Sequence, residues 1–174
     1  MHNLPTREIC IVQPGPLTLV QDRGRFGFQQ LGVSVGGAID TDALNIGNHL
    51  VGNYADAAVL EILLGGLEIE IAYPAVFALT GANTNATLDG VPLSTNVSYT
   101  AHAGARLSLG MASQGLRAYV AFAGGVDVQS ILGSRSTHIA SGIGGLDGRP
   151  LAEGDVLQIG ASSSQAQSGH VFID

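Results

Sequence analysis

Two arginines flank a glycine in the run Gln21-Asp22-Arg23-Gly24-Arg25-Phe26-Gly27, in a chain with few cations. A guanidinium presents a planar fork of N–H donors that can grip a carboxylate or phosphate with two bonds at once. Asp22 can ion-pair with either arginine, so the run reads equally as an anion-holding loop or as a salt-bridged loop that orders its own backbone. Further on, Leu132-Gly133-Ser134-Arg135-Ser136-Thr137 offers another fork, three hydroxyls and backbone N–H groups. Such a set can build an anion-binding nest, or can simply cap its own turn. No Gly-x-Ser-x-Gly elbow surrounds these serines, which argues against a hydrolase triad. Glu61 closes the apolar run Ala57-Ala58-Val59-Leu60. A carboxylate there is costly unless paired or hydrogen-bonded, so it either ion-pairs with an arginine or lines a polar cleft with a displaced pKa. Gly36-Gly37-Ala38-Ile39-Asp40 leads into a helix whose free N–H groups form an anion site. Asp40 and Asp42 place negative charge there, which makes capping the first role for Asp40 and phosphate binding the second.

Composition narrows the chemistry. All seven cations are arginine, and the absence of lysine removes a Walker lysine, a Schiff-base lysine and a biotinyl-lysine from this polypeptide. His2, His49, His102, His138 and His170 are scattered, without a His-x-x-x-His pair, and Cys10 stands alone. A structural zinc site and an internal disulfide are therefore not expected. His49 reads as a packed histidine, His102 and His138 as solvated turn residues. With 14 acidic side chains the net charge is −7, which argues against a nucleic-acid binder working through a basic face. The charged fraction of 12% is about half the ~25% of soluble domains. An apolar fraction of 45% excludes a disordered chain. So few ions on the outside favour a subunit with a permanent partner, a monomer covered by Ser, Thr and Asn being the alternative. Met1 to Glu8 has no signal-peptide pattern, and the most apolar stretch, residues 57–66, is too short for a bilayer. A cytoplasmic location, without membrane or nucleic-acid partners, is expected.

The elements that must position these residues are mostly strands. Short apolar runs at residues 8–12, 17–21, 58–64, 67–72, 75–80, 86–88, 97–100, 106–109, 117–123 and 156–159 are punctuated by Gly, Pro, Asn or Asp. Asp89-Gly90 marks a tight hairpin. One helix, about residues 40–52, carries Ala43, Ile46 and Leu50 on one stripe, with Asp40 as N-cap and Gly52 as stop. Val126–Leu132 is expected to make a helical turn. Two segments, 102–110 and 152–160, share Gly-x-x-Leu-x-Leu/Ile-Gly, a recurrent glycine turn feeding a strand. The chain divides into residues 1–160 and a polar linker or tail, 161–174.

Several blocks together resemble a known family. They are Val12-Gln13-Pro14-Gly15 with Thr18 to Arg25, Gly37-Ala38-Ile39-Asp40, Leu50-Val51-Gly52-Asn53, Leu60-Glu61 and Ala78 to Ala82. Leu88 to Pro92, Arg117 to Asp127, Leu132 to Thr137 and Gly154-Asp155 complete the set. This order is similar to that of the allophanate hydrolase subunit 2 family, also called the biotin-dependent carboxyltransferase or KipA-like family, over its N-terminal half. The resemblance implies a mainly β, cyclophilin-like barrel assembly with one main helix, working beside a KipI-like sister subunit. It implies the role of the C subunit in ATP-dependent 5-oxoprolinase, which turns 5-oxoproline into glutamate with a KipI-like B subunit and an A subunit. ATP with magnesium would serve the complex, and no biotin would be attached to this chain. The alternatives are the carboxyltransferase region of a urea carboxylase system and a non-catalytic regulator that binds a KipI-like kinase inhibitor. On the 5-oxoprolinase reading Arg23, Arg25, Arg117 and Arg135 are the candidates to hold a small carboxylate or a phosphate. Asn53, Ser134 and Thr137 are the further binding candidates, and Asp22, Asp40 and Glu61 the candidates for catalysis.

Overall fold

Side-chain alternation sets the layers. In Ala75–Asn83, Phe77 and Leu79 pack into one apolar cluster and Ala78 into another. In Gln114–Phe122, Ala118, Val120 and Phe122 join the first cluster, Tyr119 and Ala121 the second. Because successive side chains point to opposite faces of a strand, these two strands must be covered on both sides. The computed structural model describes residues 6–162. Its strands are β1 (Glu8–Pro14), β2 (Leu17–Gln21), β3 (Val59–Leu63), β4 (Leu67–Ile71), β5 (Ala75–Asn83) and β6 (Thr87–Leu88). They continue with β7 (Val91–Pro92), β8 (Val97–Ala101), β9 (Ala105–Ser108), β10 (Gln114–Phe122), β11 (Val126–Asp127) and β12 (Val156–Ile159). The helix α1 spans Thr41–Leu50 between β2 and β3.

The fold is mainly β with one main helix. Antiparallel hydrogen bonding sorts the strands into a seven-stranded sheet, β11-β12-β1-β4-β9-β6-β7, and a five-stranded sheet, β2-β3-β10-β5-β8. Between them lies the main core, which includes Ile9, Ile11, Leu60, Ile69, Phe77 and Phe122. On its other face the five-stranded sheet carries α1, where Ala43, Leu44 and Leu50 pack with Val59, Ala78 and Ala121. The Asp40 carboxylate accepts from Ala43 N at 2.9 Å, an N-cap worth about 1 kcal/mol. At Asp89-Gly90 both residues take positive φ, 50° and 81°, the geometry that joins β6 to β7 by a two-residue turn.

The two matching glycine turns occupy equivalent places. Gly104 N donates to Ile71 O at 2.7 Å and Gly154 N to Ile11 O at 2.8 Å. The strands that follow, β9 and β12, flank the central β4–β1 pair on opposite sides. The helical turn expected over Val126–Leu132 does not form. Val126 pairs with Ile159, is buried, and sends its N–H to Ala58 O at 2.9 Å, while Ile131 bridges to Ser134. Core burial and cross-chain bonds outweigh one isolated helical turn, whose nucleation is unfavourable. His49 is exposed rather than packed; it stands in the last turn of α1, where a basic side chain suits the helix dipole. The segment from Ser134 to Leu151 shields the edge of β2: Thr137 N donates to Val20 O and Leu151 N to Thr18 O, each at 2.9 Å. His2, His170 and the expected linker beyond Ser162 lie outside the described residues. Among the described residues no helix is long and apolar enough to cross a membrane.

Candidate functional site

Asp22 follows β2 directly and is buried. Its Oδ1 accepts from Gly24 N and Ser134 Oγ, each at 2.7 Å, and from Ser136 Oγ at 2.5 Å. Its Oδ2 accepts from Arg135 N at 2.5 Å. Among the described residues no guanidinium pairs with it. The Gly-Ser-Arg-Ser-Thr cluster is thus an anion nest whose anion is the protein's own Asp22. Ser134 spends its hydroxyl there, and Thr137 Oγ1 donates to Val20 O at 3.0 Å. Both side chains are buried and serve to fasten the 134–137 loop to β2.

The arginines separate into four environments. Arg25 is buried and donates to backbone oxygens, Nη2 to Ser136 O at 2.5 Å and Nε to Ile131 O at 3.5 Å. It works as a strut between loops. Arg135 donates from Nε to Val128 O at 3.0 Å and lies 3.3 Å from Asp127 Oδ1. Arg23 is exposed and makes no ion pair among the described residues. Its backbone is clamped: Arg25 N donates to Val35 O at 2.8 Å and Ala38 N to Asp22 O at 2.9 Å. The clamp requires glycine at position 37, where a Cβ would come 2.8 Å from the Arg23 carbonyl and φ is +93°. Arg23 lines an open cleft of about 660 Å³ with Phe26, Phe28, Asp56 and Leu132. A smaller cleft of about 180 Å³, lined by Tyr54, Asp127 and Arg135, shares Asp56 with it.

Glu61 and Arg117 lie together elsewhere, at the helix-bearing face of the five-stranded sheet. Glu61 stands opposite Tyr119 in the β3–β10 register and is 1% exposed. Its Oε2 accepts from Tyr119 Oη and from Ile39 N, each at 2.8 Å. Tyr119 Oη in turn accepts from Asp40 N at 2.9 Å, which links the helix start to the carboxylate. Burial first, with the Glu61 bond and charge adding to it, raises the Tyr119 pKa well above its ordinary value, so the phenol stays a donor. Arg117 Nη1 is 3.7 Å from Glu61 Oε1, an ion pair of the kind expected for a strand-embedded Glu.

Asp40 is the helix cap. Asn53 donates from Nδ2 to Asn48 Oδ1 and Phe122 O and accepts from Gly124 N, tying the end of α1 to the end of β10. The four arginines do not converge, and neither cleft above is lined by more than one of them. Among the described residues no group of three or more His, Cys, Asp or Glu is placed to hold a metal ion. Sequence reasoning missed Tyr119, Asp56 and the aromatic rim formed by Phe26 and Phe28. Tyr119 had a signal, since a tyrosine inside an apolar strand needs a partner for its hydroxyl. Asp56 had none.

With this geometry in hand, the relatives are informative. A family model described as "Carboxyltransferase domain, subdomain A and B" matches residues 31–172. The chain belongs to that family. It is 49% identical over 152 residues to the C subunit of 5-oxoprolinase from Escherichia coli, covering 87% of this chain and 49% of that protein. It is 37% identical over 148 residues to urea amidolyase of Lachancea kluyveri, covering 84% of this chain and 8% of that protein. The crystal structure of Kluyveromyces lactis urea carboxylase superposes with a TM-score of 0.87 at 34% identity, over 97% of this chain and 15% of that one. The chain therefore spans about half the length of the 5-oxoprolinase protein it matches.

Proposed function

We propose that this chain contributes part of the substrate site of an ATP-dependent 5-oxoprolinase, acting as its C subunit beside a KipI-like B subunit and an A subunit. The likeness to the Escherichia coli 5-oxoprolinase protein, at 49% against 37% for the urea amidolyase, supports this branch of the family. The observation that carries it is Arg23, a guanidinium without an ion-pair partner among the described residues, on a glycine-clamped backbone at the mouth of the larger cleft. That fork suits the carboxylate of 5-oxoproline or a phosphate of ATP. Magnesium would arrive with the nucleotide, since its usual ligands are phosphate oxygens, water and one or two carboxylates. The setting would be the cytoplasm. A urea carboxylase role is the second reading, favoured by the 0.87 TM-score, and it requires a biotin carrier outside these 174 residues, which contain no lysine.

In a reconstituted complex, Arg23→Ala should raise KM for 5-oxoproline or ATP at least tenfold. Its effect on stability should stay within about 0.5 kcal/mol, as for an exposed side chain without partners. Unchanged kinetics would remove Arg23 from the site. Co-purification with the KipI-like protein without any effect on ATP consumption would instead mark a binding module.

A further inference from the structure

One edge of the seven-stranded sheet is only partly covered. Asp155 O accepts from Ile11 N and Ile159 N donates to Arg7 O. The alternation of an antiparallel ladder therefore turns the backbone N–H and C=O of residues 155, 157 and 159 toward β1, and those of 156, 158 and 160 away from it. On that far side Gly160 N donates to Gly125 O at 3.0 Å, and Gln158 stands opposite Asp127. The same register would next place Gln129 opposite Val156, but β11 stops at Asp127. Arg135 holds the departing chain, its Nε donating to Val128 O at 3.0 Å and its Nη2 to Asp127 Oδ1 at 3.3 Å. The N–H and C=O of Val156 are left without a partner among the described residues, and Val156 is 49% exposed. Over this free edge lies an open cleft of about 520 Å³, walled by Val128 and Gln129 and by the glycines 142, 144, 145 and 148. It shares no lining residue with the Arg23 cleft. Two carboxylates line it, Asp127 and Asp147, and no cation does. Asp127 takes one bond of 3.3 Å from Arg135 and Asp147 has Arg149 at 3.8 Å, so each keeps lone pairs for a further donor.

We propose that this cleft receives a short extended segment of a partner protein, which adds to the edge of β12 through the Val156 N–H and C=O and carries a lysine or arginine to Asp127 and Asp147. In strand addition the main-chain bonds supply the pairing and the flanking side chains supply the choice of partner. Charge makes that choice here, because walls with two carboxylates and no cation oppose an acidic strand and attract a basic one. A free strand edge is a template for pairing with another chain unless charge, proline or a bulge guards it. The β12 sequence Val-Leu-Gln-Ile has neither charge nor proline. Residues 163–174 of this chain contain no lysine or arginine, which directs the proposal to another protein. It goes beyond the substrate reading and does not depend on it.

The test follows backbone amide shifts of the full chain by NMR during titration with acetyl-Val-Lys-Val-Lys-amide. Two controls are its Val-Glu-Val-Glu counterpart and the lysine peptide with every backbone nitrogen methylated, which cannot pair with a strand. The lysine peptide should shift the Val156 amide and bind at least tenfold more tightly than either control, because a site built around hydrogen bonds rejects analogues that cannot make them. Val156→Pro removes the edge donor and should weaken the lysine peptide about fivefold, the worth of one hydrogen bond. Asp127→Asn with Asp147→Asn should cut the preference for lysine over glutamate at least fivefold; asparagine suits the left-handed φ of +56° at position 147. If Val156→Pro does not fold, the methylated peptide and the double variant decide the matter. No shift at Val156, equal binding of the three peptides, or an undiminished lysine preference in the folded double variant each overturns the proposal. A concentration-dependent Val156 shift without peptide, accompanied by a dimer in sedimentation, assigns the edge to a second copy and overturns it as well.

Discussion

Two buried carboxylates of this molecule are handled in opposite ways. Asp22 takes four hydrogen bonds, spread over both oxygens, from two serines and two backbone amides. Glu61 takes two on one oxygen and leaves the other facing a guanidinium beyond bonding range. Both sit beside conspicuous arginines, yet only Glu61 keeps a carboxylate oxygen without a hydrogen bond among the described residues. A buried anion held by hydrogen bonds from its own chain on both oxygens is scaffolding.

The largest effect should come from breaking the filled site. Asp22→Ala strands the hydroxyls of Ser134 and Ser136 and two backbone N–H groups, and should cost about 3–5 kcal/mol in urea denaturation, as for removal of one partner from a buried charged network. Glu61→Gln retains an acceptor for both donors but leaves the largely buried Arg117 without its counter-charge, and should cost less, about 1–3 kcal/mol. Equal losses in the two variants would erase the distinction drawn between them.

Smaller effects come from two surface ion pairs that extend the comparison to closed but exposed sites. Arg149 grips Asp155 with two bonds, 2.7 and 2.9 Å. Those bonds, more than the one from Ala152 N, hold the Asp155 pKa below its ordinary value against the opposing effect of burial. The folded protein then binds this proton less tightly than the unfolded chain. The pair's stabilisation is present above the unfolded pKa and is lost as pH falls through the folded one. Asp155→Asn should flatten that part of the acid-side decline in melting temperature. The smallest effect concerns His102, whose pKa is raised chiefly by its bond to Ala103 O and then by Asp89, 3.0 Å from Nε2. Its contribution is present below the unfolded pKa and fades as pH rises through the folded one. His102→Ala should remove a slight alkaline-side slope near neutrality, seen by comparing melting temperatures across that window.

The strands, the Asp89-Gly90 hairpin and the capped helix were legible in the sequence because each rests on neighbours a few residues apart. The loops with their arginines, glycines and hydroxyls were legible as anion-binding material. Their assignment was not, because the partners are remote in the chain: Ser136 reaches Asp22 across 114 positions and Tyr119 reaches Glu61 across 58. Val126–Leu132 failed for the same reason, Val126 being claimed by a strand partner and a core that local spacing does not reveal.

Residue order by itself determined a mainly β chain without lysine, with one capped helix and arginines set in glycine-rich loops. Only the tertiary structure decided which of those arginines are consumed. Arg25 is walled in by backbone carbonyls, Arg135 is tied to Asp127, Arg23 is left open, and Arg117 is held just short of Glu61. The reason is that a side chain's type states which bonds it can make, whereas burial and distant partners determine which bonds remain to be made.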